Sequence, residues 1–193
     1  ILSPRFGGPV IGAIHDHITG SFMLTHKEVR FNKDEALFLL SYIGLDRELM
    51  KPAGKDAAGN LYWIGKQMVT LVLPPRLSIE YKASICQGCV VCKHEKCLEE
   101  TGIDAYTIIE RGVLKCGAID EKGVGAFKGK ILDKIVRDYG PGEGRRFIDN
   151  ITKLSIATIM LKGFTTGLSD EDIPAEARRA IDDVLSKAKS DVE

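Results

Sequence analysis

The chain has 193 residues, with 27 basic and 27 acidic side chains and a formal net charge of zero. Its composition, 44% hydrophobic and 28% charged, excludes wholesale disorder and a coiled coil, and the charge balance excludes a free-standing protein that grips nucleic acid with a strongly basic surface. With no apolar run long enough to span a bilayer and no charged-then-apolar leader, the sequence predicts a cytoplasmic protein without a membrane partner.

In chain order, Phe6 to Ile14 reads as a glycine-punctuated loop and short strand. Asp16 is expected to cap a short helix running to about Leu24. Asn32 followed by Glu35 has capping-box spacing; Ala36, Leu37, Leu39, Leu40 and Ile43 then mark one helical face, and Gly44 supplies the stop. Residues 51–60 are a breaker-rich loop, and Gly65 to Leu71 reads as a short helix ended by Pro74-Pro75. Leu77 to Tyr81 alternates apolar and polar residues like a strand. Tyr106–Ile109 and Val113–Ile119, joined by Glu110-Arg111-Gly112, read as a β-hairpin. Residues 125–139 carry Phe127, Ile131, Ile135 and Tyr139 at helical spacing and stop at Gly140-Pro141. A second stripe, Phe147, Ile151, Leu154 and Thr158, predicts a helix from about Glu143 to Leu161. After Gly163, Ser169 and Pro174 announce a last helix to about Lys189. The fold class is therefore α+β: mixed short strands and a β-hairpin with several helices, and a helical C-terminal third.

The tail differs from the rest. From Asp170 onward eight acidic residues face four basic ones, a net of −4, so the preceding 169 residues carry +4. Its apolar positions, Ala177, Ile181, Val184, Leu185 and Ala188, form a narrow stripe expected to pack on something beyond the chain.

Four of the five cysteines fall in one short segment, Cys86-x2-Cys89-x2-Cys92-x4-Cys97, with His94 inside it. Four thiolates so spaced can converge on one metal ion in a reducing compartment, and tetrahedral zinc is the first reading. An alternative ligand set takes His94 in place of Cys92. An iron–sulfur cluster is the second reading, since the last spacing and Leu98 depart from the bacterial ferredoxin run; a metal-free loop is the third. Cys116 reads as a small buried residue of the hairpin rather than a fifth ligand. His15-x-His17 has no second His/Asp cluster to complete a hydrolase site, and Asp170-Glu-Asp172 is what a helix start favours. Gly140-Pro-Gly-Glu-Gly-Arg145-Arg146 and Gly65-Lys66-Gln67 both lack the spacing of a phosphate loop.

Three segments together resemble one family. Gly8-Pro-Val-Ile-Gly-Ala-Ile-His-Asp-His-Ile-Thr-Gly-Ser-Phe-Met-Leu-Thr25 resembles the largest subunit of multisubunit DNA-directed RNA polymerases just beyond its catalytic aspartate loop. Tyr62-Trp-Ile-Gly-Lys-Gln67 is similar to that subunit's Leu-Trp-x-Gly-Lys-Gln stretch, with Ile64 where the family commonly has Ser or Thr. Lys162-Gly-Phe-Thr-Thr-Gly-Leu-Ser-Asp-Glu-Asp-Ile-Pro174 is similar to its archaeal form, in the N-terminal part of the subunit.

The resemblance implies that residues 1–165, with the cysteine-rich loop at 86–97, correspond to the pore region and residues 166–193 to the start of the funnel region. It implies a structural, non-catalytic part of the secondary channel, where nucleoside triphosphates enter and the 3′ end of backtracked RNA is extruded. The family's magnesium-binding Asn-Ala-Asp-Phe-Asp-Gly-Asp motif is absent from these 193 residues, so catalytic Mg2+ is expected outside them and the chain alone is expected to be inactive. Implied partners are the other polymerase subunits including the second-largest, a transcript cleavage factor, and DNA only through the whole complex. Ile1 is expected to mark a cut site, with the chain an excised or processed portion of the subunit. Lys66, Arg111 and Lys122 are the expected channel-lining cations; Cys86, Cys89, Cys92 and Cys97 are the expected metal ligands. The competing reading from another class is an independent zinc-dependent nucleic-acid-binding module built on the cysteine loop, with Lys82, Lys93 and Lys96 beside it but no aromatic between the cysteines.

Overall fold

Helix α1 (Asp16–Thr25) turns a face of Gly20, Ser21, Leu24 and Thr25 inward, and these small residues let other backbones come close. In the computed structural model, which describes residues 2–44, 48–86, 104–127 and 129–191, the chain divides into two units, Ile1–Gly163 and Phe164–Glu193. The first unit is α+β. Its elements, in order after α1, are β1 (Arg30–Phe31), α2 (Lys33–Ile43), β2 (Gly54–Lys55), β3 (Leu61–Ile64), α3 (Gly65–Val72), β4 (Ile79–Lys82), β5 (Tyr106–Glu110), β6 (Val113–Cys116), α4 (Glu121–Val124), α5 (Lys130–Tyr139) and α6 (Pro141–Lys162). The strands make two antiparallel three-stranded sheets, in orders β1-β3-β2 and β4-β5-β6.

The long helix α6 is the spine. Pro141 occupies its first turn, where a missing N–H costs nothing, and Gly163 ends it at a φ of 73°. Its buried stripe, Phe147, Ile151, Leu154 and Thr158, is the one expected from spacing. Helices α1, α2 and α5 pack against it. At the crossing with α1, a Cβ on Gly20 would overlap the Ser155 backbone, and the Ser21 and Ser155 hydroxyls lie 2.8 Å apart in the buried contact. Further along α1, near its C-terminal end, α3 comes as close: a Cβ on Gly65 would overlap the Leu24 carbonyl oxygen.

Helix α2 has the expected cap. Asn32 Oδ1 accepts from Glu35 N at 2.9 Å, Glu35 Oε2 accepts from Asn32 N at 2.9 Å, and Gly44 closes the helix at a φ of 68°. Lys162, at the end of α6, donates to the other oxygen of Glu35 at 2.9 Å, so the same carboxylate caps one helix and ties it to another. Burial alone would raise the Glu35 pKa, but the Lys162 hydrogen bond, the Asn32 amide and the Lys162 charge outweigh it and hold the carboxyl below its usual value.

Four expectations are corrected. The N-cap of α1 is His15, at a φ of 46°, and Asp16 lies inside the first turn. Leu37 is exposed, because the inward face of α2 holds only Ala36, Leu39, Leu40 and Ile43. Residues 125–139 are not one helix: α4 ends at Gly125, and Phe127, at a φ of 65°, is solvent-facing before α5 begins at Lys130. The 51–60 loop contains β2, held by pairing of Gly54 with Tyr62 and Lys55 with Leu61.

The second unit holds a 3-10 turn (Leu168–Glu171) and α7 (Ala175–Ser190), with Pro174 at the N-cap position of α7. None of the residues of α7 is buried. No helix among the described residues is long and apolar enough to cross a membrane.

Gly20→Ala should destabilise the protein by about 1–3 kcal/mol in a denaturant titration, since the added methyl must push α1 away from α6, whereas Leu37→Gln should change stability by less than about 0.5 kcal/mol. The lowered Glu35 pKa means that its stabilising effect is present above the ordinary carboxylate pKa and is lost as pH falls through the folded value. A melting series from neutral to acid pH should therefore have a shallower acid slope in Glu35→Gln than in the parent.

Candidate functional site

The β5–β6 hairpin turns on Arg111 and Gly112, both at positive φ (49° and 78°), which suits a two-residue hairpin whose strands keep their right-handed twist. Gly112 is needed here, because a Cβ would meet the Pro74 carbonyl oxygen, and the Gly112 amide donates to Leu77 O at 2.7 Å. The Arg111 amide donates to the Ser78 hydroxyl at 3.0 Å. Its side chain is exposed beside a cleft of about 440 Å³ lined by Ser78, Glu110, Arg111, Val113 and Lys115.

The base of the same sheet is built around two buried carboxylates. Asp104, 1% exposed and at a φ of 55°, accepts from the Gly117 amide through Oδ1 at 2.7 Å, while its carbonyl accepts from the Ala118 amide at 3.0 Å. Its other carboxylate oxygen meets Lys66 Nζ at 2.5 Å. Lys66 sits in the first turn of α3, where the helix dipole disfavours a cation, and is only 4% exposed. Its partner compensates for both costs. Asp120, 4% exposed, caps α4 by accepting from the Lys122 amide at 3.0 Å, and its second oxygen accepts from the Ser84 and Ile85 amides. Thr107 Oγ1 donates to Ala118 O, and the Ile119 amide donates to Thr25 Oγ1 at 2.8 Å, joining this base to α1.

The backbone pairing of β4 with β5 continues one step further, with the Ala83 amide donating to Ala105 O at 2.9 Å. Cys86 follows in a 3-10 turn (Ser84–Cys86), buried against Ile85 and Ala105. Cys89, Cys92 and Cys97, the other expected metal ligands, lie outside the described residues, as do His94, Lys93 and Lys96. Cys116 is half-buried on β6.

Under α4, Tyr81 is buried, and burial pushes its phenol pKa up. A Cβ on Gly123 would overlap the Tyr81 hydroxyl, so glycine there lets α4 lie on the ring. Lys130 Nζ lies 6.0 Å from the same ring centroid. Lys122 is half-buried on α4.

The three expected lining cations are thus not brought together. Lys66 is inside, neutralised by Asp104. Arg111 is at the hairpin tip and Lys122 at the hairpin base, separated by the length of β5, roughly 15 Å for a five-residue strand. Sequence reasoning missed Asp104 and Asp120. Asp120 carried a signal, an Asp directly before Glu121-Lys122 at a helix start; Asp104 carried none. Among the remaining candidates, His17 Nδ1 lies 3.3 Å from Ile14 O, and Arg146 pairs with Glu143 in the first turns of α6. No group of three or more metal-ligating side chains occurs among the described residues.

A family model described as RNA polymerase Rpb1, domain 3, matches residues 1–171. The chain is 47% identical over 193 residues to the DNA-directed RNA polymerase subunit Rpo1N of Methanococcus vannielii, covering 100% of this chain and 21% of that protein. The Rpo1N subunit of Methanocaldococcus jannaschii is 47% identical over 192 residues, with 100% of this chain and 14% of that protein covered. That of Thermoplasma acidophilum is 38% identical over 190 residues, covering 98% and 21%. The chain therefore spans only a seventh to a fifth of the length of these relatives.

Removing one partner of the buried pair leaves the other charge uncompensated. Lys66→Met and Asp104→Asn should each cost about 3–5 kcal/mol, and the double variant should cost less than the sum of the two, as measured by a double-mutant cycle in denaturant.

Proposed function

The chain belongs to the RNA polymerase Rpb1 domain 3 family, and we propose that it forms a non-catalytic wall of the polymerase's secondary channel, where nucleoside triphosphates enter and backtracked RNA leaves. The observation that carries this reading is similarity to Rpo1N subunits over the whole length of this chain. The enzyme is the assembled DNA-directed RNA polymerase. Its Mg2+ and the reacting groups belong to parts of the subunit outside these residues, and this chain alone is inactive. Its contacts are with the other subunits, the second-largest among them, and with a transcript cleavage factor; DNA is met only through the complex.

Physically, such a wall needs a rigid frame and a modest positive potential. The frame is supplied by the buried Asp104 and Asp120 carboxylates, which lock the hairpin base, α3 and α4 together. Lys66 belongs to that frame. The potential comes from Lys122 and Arg111, which the frame holds outside it. At the cysteine segment, structural zinc held by Cys86, Cys89, Cys92 and Cys97 remains the reading favoured by ligand spacing, with an iron–sulfur cluster second.

Two measurements test these proposals. Lys122→Glu in the assembled polymerase should raise the KM for nucleoside triphosphates or shorten the life of backtracked complexes, by several-fold at low salt and less at high salt. A variant indistinguishable from the parent in both would remove Lys122 from the channel wall. Elemental analysis of the purified protein should find one zinc per chain; iron with a broad visible absorption band would identify a cluster instead, and neither metal would leave the loop bare.

A further inference from the structure

Phe127 combines two properties that work against each other in an ordinary fold. It is 62% exposed, so its ring makes little return in burial, and its φ of 65° places a bulky side chain in the left-handed region. Such a conformation persists only where the surroundings dictate it. Here they do. The Ala13 amide donates to Val124 O at 2.7 Å, and the Gly129 amide donates to Gly125 O at 3.0 Å. Gly12 packs backbone to backbone on Gly125 and Ala126, with no room for a Cβ. Gly125 and Gly129 are equally crowded by backbone, against Glu121 O and Gly125 O. The turn is thus built on three close backbone contacts, and its product is an aromatic ring held out to solvent. Cations lie on both sides of it in the chain: half-buried Lys122 on α4, and exposed Lys130 at the start of α5.

An aromatic face with neighbouring cations is the arrangement that holds an unpaired nucleotide, because every base presents a π face and its phosphates seek Lys or Arg. We propose that Phe127 is a stacking platform for an unpaired nucleobase, with Lys122 and Lys130, which flank it in the chain, as the cations available to the attached phosphates. The proposal rests on the channel reading above and names the residue that would recognise what passes through. The base is supplied either by the extruded 3′ end of the transcript or by an incoming nucleoside triphosphate.

The test uses the assembled polymerase carrying Phe127→Tyr, Phe127→Leu or Phe127→Gly, with Lys122→Glu in parallel. Tyrosine keeps the ring, leucine keeps apolar bulk without it, and glycine releases the backbone strain. Exonuclease footprinting of complexes with a mismatched 3′ nucleotide reads the lifetime of the backtracked state, and the KM for the next nucleoside triphosphate reads the incoming base. Leucine and glycine should each weaken one of these by about tenfold while tyrosine matches the parent. Loss of backtracked lifetime assigns the platform to the transcript end, and a raised KM assigns it to the nucleotide. Leucine equal to phenylalanine in both measurements overturns the stacking role, as does tyrosine as damaging as leucine. If Lys122→Glu still changes either readout in that case, the channel reading stands without the platform; if it too is silent, both fall.

Discussion

The close approach of backbones around α1 is the constraint on which the first unit depends. Gly20 and Gly65 lack the atoms that would hold α6 and α3 away from it, and Thr25 spends its hydroxyl on the Ile119 amide. A single ten-residue helix is therefore in contact with the spine, with the helix that carries Lys66, and with the strand-to-helix link that carries Asp120. Packing at that distance gains dispersion from many atom pairs, and it also passes any displacement onward, because close-packed interiors are stiff. The position of Lys122 and the hairpin base is set through these contacts before any electrostatics is considered.

The polar groups then fix what the apolar packing leaves loose. Asp104 and Asp120 each use both carboxylate oxygens, so each joins two segments distant in sequence: Asp104 joins α3 to the β6 exit, and Asp120 joins α4 to the β4 exit. A buried ion pair such as Lys66–Asp104 is weak evidence of stability relative to an apolar pair, but it is demanding about geometry. Its consequence here is register: the hairpin base can sit in one place only, where the lysine finds its carboxylate and the Gly117 amide finds the other oxygen.

Local chemistry made part of this readable from sequence. The Asn32–Glu35 box, the Gly44 and Gly163 stops, the Arg111-Gly112 turn and the α6 stripe are all determined within one or two helical turns of chain, and they appear where they are expected. The three family-like segments likewise led to the family that the matches bear out. What was hidden depends on distant residues. Lys66 in Gly-Lys-Gln reads as a surface cation, and its burial is explained only by a carboxylate 38 residues later. Phe127 fits a helical spacing that continues through Ile131 and Ile135, yet the backbone contact of Gly12 with Gly125 breaks the helix and turns the ring outward. The two-residue strands β1 and β2 have too little sequence to show a period.

The pairing of Ala83 with Ala105 bears on how this region tolerates change. Strands β5 and β6 are joined by two residues, whereas β4 and β5 are joined by the 23 residues from Ala83 to Ala105, with the sheet closing at the first and last of them. The register of β4 on β5 is thus held by the sheet itself and by Asp120 on the Ser84 and Ile85 amides, not by the geometry of a turn. The entropy of closing such a connection grows only logarithmically, by about 0.6 kcal/mol for each doubling of its length. A change in the length of this connection therefore costs the domain little, because the strands on either side keep the partners and the carboxylate that hold them in register.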